Sequence, residues 1–173
     1  MNNNTFVHKY IRSLIHPEDT VVDMTAGNGN DTLFLSGLSR KVFAFDISAE
    51  AIRRTKERIK GRDNITLIHD SHVHVDSYVK EDVRLFLFNL GYLPHSDDTS
   101  VSKAEDTLTA FRKSYELLEK GGYIVITFYL GHQGGKDEFY LLDAYIRKNR
   151  FQITETYSQH KIDSPVTYII RKN

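Results

Sequence analysis

The stretch from Thr20 to Thr32 reads TVVDMTAGNGNDT and predicts a strand, a tight turn and a helix in direct succession. Gly27 and Gly29 permit backbone angles that are closed to other residues, and they let the main chain approach a ligand closely. The helix that follows presents free N–H groups and the positive end of its dipole, which suit a carboxylate. A plain tight turn is the alternative, but the stretch favours a ligand-binding turn in an α/β fold.

Short runs of β-branched and aromatic residues recur along the chain and alternate with segments of helical apolar spacing. This alternation predicts βαβ units and a parallel sheet. Gly121 and Gly122 are expected to end the long helix before the fifth strand. The predicted strands are Thr20–Asp23, Lys41–Asp46, Ile65–His69, Val83–Phe88, Tyr123–Phe128, Phe151–Thr156 and Val166–Arg171.

The last two predicted strands are joined by residues 157–165. That connection is shorter than the roughly dozen residues that a crossover between parallel strands needs, so the pair should be antiparallel. A sheet that ends in this way is expected of a class I methyltransferase, whereas a dinucleotide-binding domain normally continues with parallel strands. The prediction is a Rossmann-like α/β fold with a seven-stranded, mostly parallel sheet, an antiparallel last strand, and helices on both faces.

The composition is typical of one globular domain spanning residues 1–173, with 40% apolar and 27% charged residues. The absence of cysteine excludes disulfides, thiolate metal sites and thiol catalysis. Lys and Arg together number 23, as do Asp and Glu, so the net charge does not support a nucleic-acid partner. No apolar run could cross a bilayer and the first residues lack the order of a secretory signal, so we expect a cytoplasmic protein without a membrane partner.

Acidic residues end two predicted strands and follow a third, and they indicate a nucleoside cofactor. Asp23 is an awkward neighbour for a pyrophosphate but a sensible partner for the ammonium of a methionine moiety. Asp46 lies 19 residues beyond Gly27, near the spacing at which an acid accepts both ribose hydroxyls, which alone does not separate S-adenosylmethionine from NAD. The third glycine of the dinucleotide fingerprint would fall on Thr32. Asp70 is placed either to reach the adenine amino group or to cap the next helix.

The fourth predicted strand delivers Asn89 to the carboxyl edge of the sheet, where open α/β sheets bind their ligands. Its amide offers a carbonyl acceptor and an N–H donor that can orient an amine nucleophile. Tyr92 and Pro94 follow and could line the pocket or stack on a flat base. The same residue types are also common in turns that have no such function. After the fifth strand, His132 either accepts a proton from the nucleophile or holds its own glycine-rich loop together.

Two clusters of side chains admit a second interpretation. A basic run on the helix after the second strand could track phosphates, but a solvated helix face is favoured. Its members are Arg53, Arg54, Lys56, Arg58, Lys60 and Arg62. His69, His72 and His74 invite a metal site, but the lack of cysteine and their place at a strand–helix junction favour scattered surface histidines and no metal.

Three motifs resemble those of the small bacterial class I methyltransferases that are labelled rRNA methylases. They are Asp23-x-Thr25-Ala26-Gly27-Asn28-Gly29-x-Asp31-Thr32, Phe88-Asn89-Leu90-Gly91-Tyr92-Leu93-Pro94 and Tyr129-x-Gly131-His132-x-x-Gly135. The resemblance covers essentially the whole chain, and the family includes the tRNA 5-(aminomethyl)-2-thiouridine methyltransferase. It implies methylation of an exocyclic amine on the wobble uridine, with S-adenosylmethionine as cofactor and the anticodon region of tRNA as partner.

The candidate site combines these motifs with the acids at the strand ends. We expect Asn89, Tyr92 and His132 to be catalytic. The expected S-adenosylmethionine-binding residues are Asp23, Thr25, Gly27, Asn28, Gly29, Asp31, Thr32, Asp46, Ile47, Asp70, Ser71 and Asn89. An rRNA or small-molecule methyltransferase, a non-catalytic module and an NAD oxidoreductase are the alternatives. A homodimer would extend the RNA surface of so small a core, but the sequence does not fix the oligomeric state.

Overall fold

Strands and helices alternate along the chain in the computed structural model, which describes residues 2–91, 104–159 and 161–173. None of the helices in these ranges is long and apolar enough to cross a membrane. The helices are α1 (Asn3–Leu14), α2 (Asn30–Ser36), α3 (Ala49–Arg58), the 3-10 turn η1 (His72–His74), α4 (Val75–Tyr78), α5 (Ala104–Leu117) and α6 (Gly135–Lys148). The strands are β1 (Thr20–Asp23), β2 (Lys41–Asp46), β3 (Ile65–His69), β4 (Val83–Leu90), β5 (Leu118–Phe128), β6 (Gln152–Ser158) and β7 (Val166–Arg171).

The seven strands form one sheet in the order β3-β2-β1-β4-β5-β7-β6. Strands β1 to β5 pair in parallel, and β7 is antiparallel to both of its neighbours. This arrangement confirms the predicted fold class. The strand order reverses between β1 and β4, and ligands of open α/β sheets bind outside the carboxyl ends of the strands at such a reversal. The loops after β1 and β4 therefore lie where a ligand is expected.

Two apolar cores cover the two faces of the sheet. Because successive side chains of a strand point to opposite faces, neighbouring residues enter different cores. On β4, Leu85 and Leu87 pack with α1 and α2, while Phe86 and Phe88 pack with α4, α5 and α6. Burial on both faces explains why β4 reads as a nearly continuous apolar run rather than an alternating one.

The glycine pair after α5 corrects one expectation. Helix α5 ends at Leu117 and β5 begins at once, so Gly121 and Gly122 lie inside the strand and do not end the helix. Gly121 has a φ of +80° and donates its N–H to the Lys172 carbonyl at 2.8 Å. The pairing of β5 with β4 shifts register beside this pair, so the glycines mark an irregularity within the strand. Strand β4 also runs two residues past Phe88, and β6 is shifted toward the C-terminus.

Helix α1 runs along one face of the sheet from its carboxyl edge to its amino edge. At the carboxyl edge, buried Asn3 accepts a hydrogen bond from Thr167 Oγ1 at 2.8 Å and lies 3.5 Å from Thr127 Oγ1. At the other end, the Leu14 carbonyl accepts a hydrogen bond from Arg84 Nε at 2.9 Å. The middle of α1 consequently passes beside the start of α2, which follows the glycine-rich turn.

Candidate cofactor and substrate site

The cofactor loop, residues 24–29, joins β1 to α2 and requires glycine at two positions. Gly27 has a φ of +55° and Gly29 a φ of +78°, which favour glycine. A Cβ on Gly29 would lie 2.9 Å from Cα of Thr55, a backbone atom of α3 that cannot easily move. Helix α3 therefore packs directly against the loop. The loop presents its main chain, rather than side chains, at the start of α2.

Asp46, at the end of β2, holds the cofactor loop in place. Its Oδ2 accepts a hydrogen bond from the Gly27 N–H, and its Oδ1 accepts one from the Ser48 N–H, both at 2.9 Å. Each carboxylate oxygen has a second lone pair, so the half-buried group can still accept bonds from a ligand. Ile47, the next residue, is 47% exposed and offers an apolar surface beside it. Asn28 accepts a hydrogen bond on its carbonyl from Arg58 Nε at 2.6 Å.

Asp23 is fully buried beneath the loop. Its Oδ1 accepts a hydrogen bond from the Thr25 N–H at 3.1 Å, and its Oδ2 accepts one from Thr32 Oγ1 at 2.6 Å. Burial, and next the charge of the neighbouring Asp31 carboxylate, raise the pKa of Asp23 to about 7. Its observed contacts are internal ones that join β1, the loop and α2. It can therefore act on the cofactor region only electrostatically, through its negative charge when it is ionised.

Asp31 and Asn89 meet above this buried acid. Asn89 Nδ2 donates to Asp31 Oδ2 at 3.1 Å, and the Asn89 N–H donates to Thr25 Oγ1 at 2.8 Å. The other Asp31 oxygen accepts a hydrogen bond from His8 Nε2 at 2.7 Å. Asn89 Oδ1 is buried and has no hydrogen-bond partner among the described residues. A buried acceptor without a partner is costly, and this one is suited to a ligand's donor.

Two aromatic rings from the β5–α6 loop border Asn89. The rings of Tyr129 and His132 are nearly parallel, with their centroids 5.4 Å apart. Gly91, the residue after β4, lies close to both rings, because a Cβ on it would make ordinary van der Waals contacts with Tyr129 Cδ2 at 3.5 Å and with His132 Cε1 at 3.7 Å. Burial lowers the pKa of His132, which favours the neutral imidazole. Burial raises the pKa of Tyr129, and the Asn89 side chain, acting as a hydrogen-bond donor that favours the phenolate, partly offsets that rise.

Asp70 follows β3 and is held by its own neighbours. Its Oδ1 accepts hydrogen bonds from the Ser71 N–H at 2.7 Å and from His74 Nδ1 at 2.9 Å, and its Oδ2 accepts one from the Tyr78 hydroxyl at 2.8 Å. The contacts with His74 and Tyr78 lower the pKa of Asp70 and keep it ionised. The N-cap of the following turn is Ser71, whose Oγ accepts from the Val73 N–H. Of the two alternatives for Asp70, the structure therefore contradicts the helix cap, and the contact with adenine stays a prediction.

The three clustered histidines point to different partners. The His69 ring lies 3.1 Å from the Ile47 carbonyl, and the buried His72 ring lies 3.1 Å from the Met24 carbonyl. Burial lowers the pKa of His72. His74 pairs with Asp70 as described above. Each of the three imidazole rings thus has a different partner.

The basic face of α3 is partly neutralised by its own acids. Arg53 and Arg54 both pair with Glu50, and Lys60, which with Arg62 lies after the end of α3 rather than on it, pairs with Glu57. An open cleft of about 500 Å³ lies between this face and the outside of the cofactor loop. Its lining residues are Asn28, Leu33, Arg53, Arg54, Glu57 and Arg58. These ion pairs agree with a solvated helix face, although the cleft keeps several guanidinium groups together.

The structure brings together most of the predicted site residues at the carboxyl edge of β1, β2 and β4. His132 joins them from the β5–α6 loop, while Tyr92 lies outside the described residues. Sequence reasoning gave His8 no role and Tyr129 none beyond its place in a motif. No local pattern marks His8, because its contact with Asp31 depends on how α1 packs across the sheet. Tyr129 carried a weak signal as the first residue after a strand that ends at the ligand edge.

This sheet order, with its glycine loop after β1 and its acid after β2, defines a class I methyltransferase. The chain belongs to a family of S-adenosylmethionine-dependent methyltransferases whose model, described as "Putative rRNA methylase", matches residues 42–172. A Streptococcus mutans protein described as a "putative methyltransferase", solved in complex with S-adenosylhomocysteine, is 31% identical with a TM-score of 0.90, covering 100% of this chain and 99% of its own. An rRNA methylase from Streptococcus thermophilus is 34% identical with a TM-score of 0.82, covering 99% and 97%.

A relative from a plant carries a more specific name. The chloroplastic tRNA (mnm5s2U34)-methyltransferase of Arabidopsis thaliana is 32% identical over 154 residues, and the match covers 80% of this chain. The match spans only 56% of that relative's length. The names of the three relatives therefore agree on methyl transfer, and the two that name an RNA differ in which RNA it is.

Proposed function

We propose that this protein transfers the methyl group of S-adenosylmethionine to the exocyclic amine of 5-aminomethyl-2-thiouridine at the tRNA wobble position. The observation that carries the proposal is Asn89 Oδ1, a buried acceptor without a partner among the described residues, at the carboxyl end of β4. Such an oxygen would accept a hydrogen bond from an amine N–H. The name of the Arabidopsis relative supports the choice of nucleoside.

The residues around the cofactor loop fit S-adenosylmethionine. The main chain at Gly27 and Gly29 and the N-terminus of α2 suit its carboxylate. Asp31, which is partly exposed, would contact the ammonium directly, and buried Asp23 would add negative charge from beneath. Asp46 and Ile47 would take the ribose and one face of the adenine. The remaining members of this proposed set are Thr25, Asn28, Thr32, Asp70 and Ser71.

Bound S-adenosylmethionine supplies an electrophilic methyl group on a sulfonium. The amine of the nucleoside attacks with its lone pair, so a C–N bond forms, the S–C bond breaks toward sulfur, and one proton leaves the nitrogen. Asn89 would orient the amine because its Oδ1 would accept a hydrogen bond from one of the amine N–H groups. His132, which burial keeps neutral, would accept the released proton. Much of the rate comes from holding the reacting partners at near-attack distance.

The rings beside Asn89 would position the base. Tyr129 and His132 lie nearly parallel over Gly91, and an aromatic face is a sequence-tolerant platform for a nucleobase. Tyr92, which follows Gly91 in sequence, remains a predicted third member of this aromatic wall. The anticodon region of tRNA is the partner that this arrangement would serve.

An rRNA substrate is the second candidate, because the family description and the Streptococcus thermophilus relative both refer to rRNA. It would use the same cofactor residues and the same Asn89. The two candidates therefore differ only in which RNA the rim of the site accepts.

The deciding experiment measures methyl incorporation from labelled S-adenosylmethionine into tRNA from a strain that lacks this gene, followed by nucleoside analysis. We expect 5-methylaminomethyl-2-thiouridine to appear with wild-type protein. Asn89→Ala should lower turnover by about a hundredfold while S-adenosylmethionine affinity stays within about threefold, because the residue orients the acceptor. Asn149→Ala, at an exposed helix end, is the matched control that keeps wild-type turnover.

Incorporation into rRNA but not into tRNA would overturn the wobble assignment and favour the second candidate. Equal losses of turnover and cofactor affinity in Asn89→Ala would instead show that Asn89 belongs to the cofactor site alone.

A further inference from the structure

A chain of hydrogen bonds leads from the first helix to the residue proposed to orient the amine. His8 Nε2 of α1 donates to Asp31 Oδ1 at 2.7 Å, and Asp31 Oδ2 accepts from Asn89 Nδ2 at 3.1 Å. Three separate elements, α1, α2 and β4, thus meet on one carboxylate. The side chains of His8 and Asp31 are only 31% and 14% exposed, so water screens the pair incompletely.

The orientation of the Asn89 amide decides what the substrate meets. With Nδ2 bound to Asp31, Oδ1 is the end left for a ligand. If the amide turned over, its N–H would face the amine and donate to the lone pair that must attack the methyl group. An amide in that orientation would inhibit the reaction it should assist. The contact with Asp31 is therefore a catalytic requirement as well as a structural one.

Asp31 needs a partner of its own to hold that amide. It lies beside Asp23, a second carboxyl group close enough for the charge of Asp31 to raise the pKa of Asp23. His8 supplies the donor on the opposite side. The imidazole is fixed by a stack on Phe34, with ring centroids 3.8 Å apart and an angle of 4°. The ring of His8 is thus held on both sides, by packing against Phe34 and by the bond to Asp31.

We propose that His8 is a positioning residue, which acts through Asp31 to keep the carbonyl of Asn89 turned toward the acceptor amine. This inference rests on the proposed function for the identity of the amine. It adds helix α1 to the methyl-transfer machinery, which sequence motifs confine to the loops after β1, β4 and β5.

Two variants separate the hydrogen bond from the stack. His8→Phe keeps an aromatic ring on Phe34 and removes the donor to Asp31. His8→Gln removes the ring, but its amide nitrogen reaches about the position of Nε2 and restores the donor. If His8 matters only for packing, His8→Phe should behave as wild type and His8→Gln should be impaired. The positioning role predicts the reverse.

We expect kcat for tRNA methylation to fall about tenfold in His8→Phe, the rate equivalent of one lost hydrogen bond, and to recover to within about threefold in His8→Gln. KM for tRNA should stay close to wild type in both variants, and S-adenosylmethionine affinity should change less than kcat. Wild-type kcat in His8→Phe, with the wild-type enzyme active in the same assay, would overturn the inference while leaving the proposed function intact.

A second readout does not depend on the substrate. The side-chain amide signal of Asn89 in an ¹⁵N NMR spectrum, assigned with Asn89→Ala, should shift in His8→Phe and exchange faster with solvent, and it should return in His8→Gln. If wild-type protein methylates no tRNA, the proposed function fails and this signal still decides the role of His8. An Asn89 amide signal that is the same in wild type and His8→Phe contradicts the inference.

Discussion

Asp23 combines full burial with a place beneath a site for a cationic ligand. Burial, and next the charge of Asp31, raise its pKa to about 7, so the group holds a proton through the mildly acidic range. S-adenosylmethionine carries positive charge on its sulfonium and its ammonium, and a positive neighbour favours the ionised carboxylate. Binding should therefore release a proton from Asp23 wherever the free protein holds one.

We accordingly predict that S-adenosylmethionine affinity rises several-fold between about pH 5.5 and about pH 7. Below the raised pKa, part of the binding free energy is spent on deprotonating Asp23, and that cost disappears as the pH passes it. Isothermal calorimetry over this range measures the effect. In Asp23→Asn the affinity should be lower but nearly independent of pH, because the amide keeps the size of the group and does not titrate. An equally steep pH dependence in Asp23→Asn would assign the titration to another group.

The sequence indicates which residues stand at strand ends but not how they contact one another. Asn89 and the acids Asp23 and Asp46 were predicted as site residues because each stands at or next to the end of a predicted strand. The same reasoning expected Asp23 to face the ligand, whereas its observed hydrogen bonds are to Thr25 and Thr32. His8 lies far along the chain from its partner, so only the packing of α1 reveals it.

The cofactor loop depends on a close approach by α3. In Gly29→Ala, the new methyl group would strain a positive φ and also meet the Thr55 backbone at 2.9 Å. Gly61 has a φ of +83° with nothing within 4 Å of an added Cβ, so Gly61→Ala is a matched control for strain alone. The strain of a positive φ should lower the free energy of unfolding by about 1 kcal/mol in each variant, and the contact with Thr55 should lower it further in Gly29→Ala.

The two variants should differ most in ligand binding. We expect S-adenosylmethionine affinity to fall at least about tenfold in Gly29→Ala, because the loop must shift away from α3, and to be unchanged in Gly61→Ala. Calorimetric titration and thermal unfolding of both proteins measure this. Similar affinities in the two variants would show that the loop relaxes without cost.

Helices α5 and α6 are joined by a buried acid. Glu138 is 3% exposed and accepts a hydrogen bond from Thr107 Oγ1 at 2.5 Å. Burial raises its pKa to about 7, and the bond to Thr107 offsets only part of that rise. Because the folded pKa exceeds the unfolded one, the folded protein binds more protons between these values. The free energy of unfolding should therefore fall as the pH rises from about 4.5 to about 7.

Glu138→Gln should remove this loss. We expect the variant to match wild type near about pH 5 and to exceed its free energy of unfolding by about 2 kcal/mol near about pH 8, since the amide is neutral at both values. Urea unfolding at the two pH values measures the difference. A variant that is less stable than wild type at the higher pH would show that the ionised carboxylate is well compensated.

Most elements follow from local patterns, and the exceptions have a non-local cause. Strands β1, β2, β3 and β7 have their predicted bounds because β-branched runs end at clear turn residues. The α5–β5 boundary was misplaced because a glycine pair after a helix ordinarily signals its end. Here the pair is fitted to the register between β4 and β5 and to Lys172, which a local pattern does not contain.

The balance of charge over the whole molecule bears on how it would hold RNA. With 23 basic and 23 acidic residues, any attraction to phosphates must come from a local surface such as the basic face of α3. We predict that tRNA affinity falls with salt, and that Lys56→Gln on this face reduces the slope of log K against log salt by about one. Lys120→Gln, at the start of β5 on the amino edge of the sheet, is the control.

Fluorescence anisotropy with labelled anticodon stem-loop over a range of salt concentrations gives these slopes. S-adenosylmethionine affinity should change little over the same range. Identical slopes for wild type and Lys56→Gln would confine α3 to the role of a solvated face, and RNA would then meet the molecule elsewhere.

The bond between Asn3 and Thr167 has a consequence for how the chain is made. It connects the first helix to β7, and β7 lies between β5 and β6 although it follows both in sequence. During synthesis, β5 and β6 leave the ribosome before β7, so the position between them in the sheet is still empty. Helix α1, made first, must wait for β7, made after every other strand, before its outer end can dock. Because that helix also carries His8, the entry of the last strand completes the docking of the helix that reaches the proposed site.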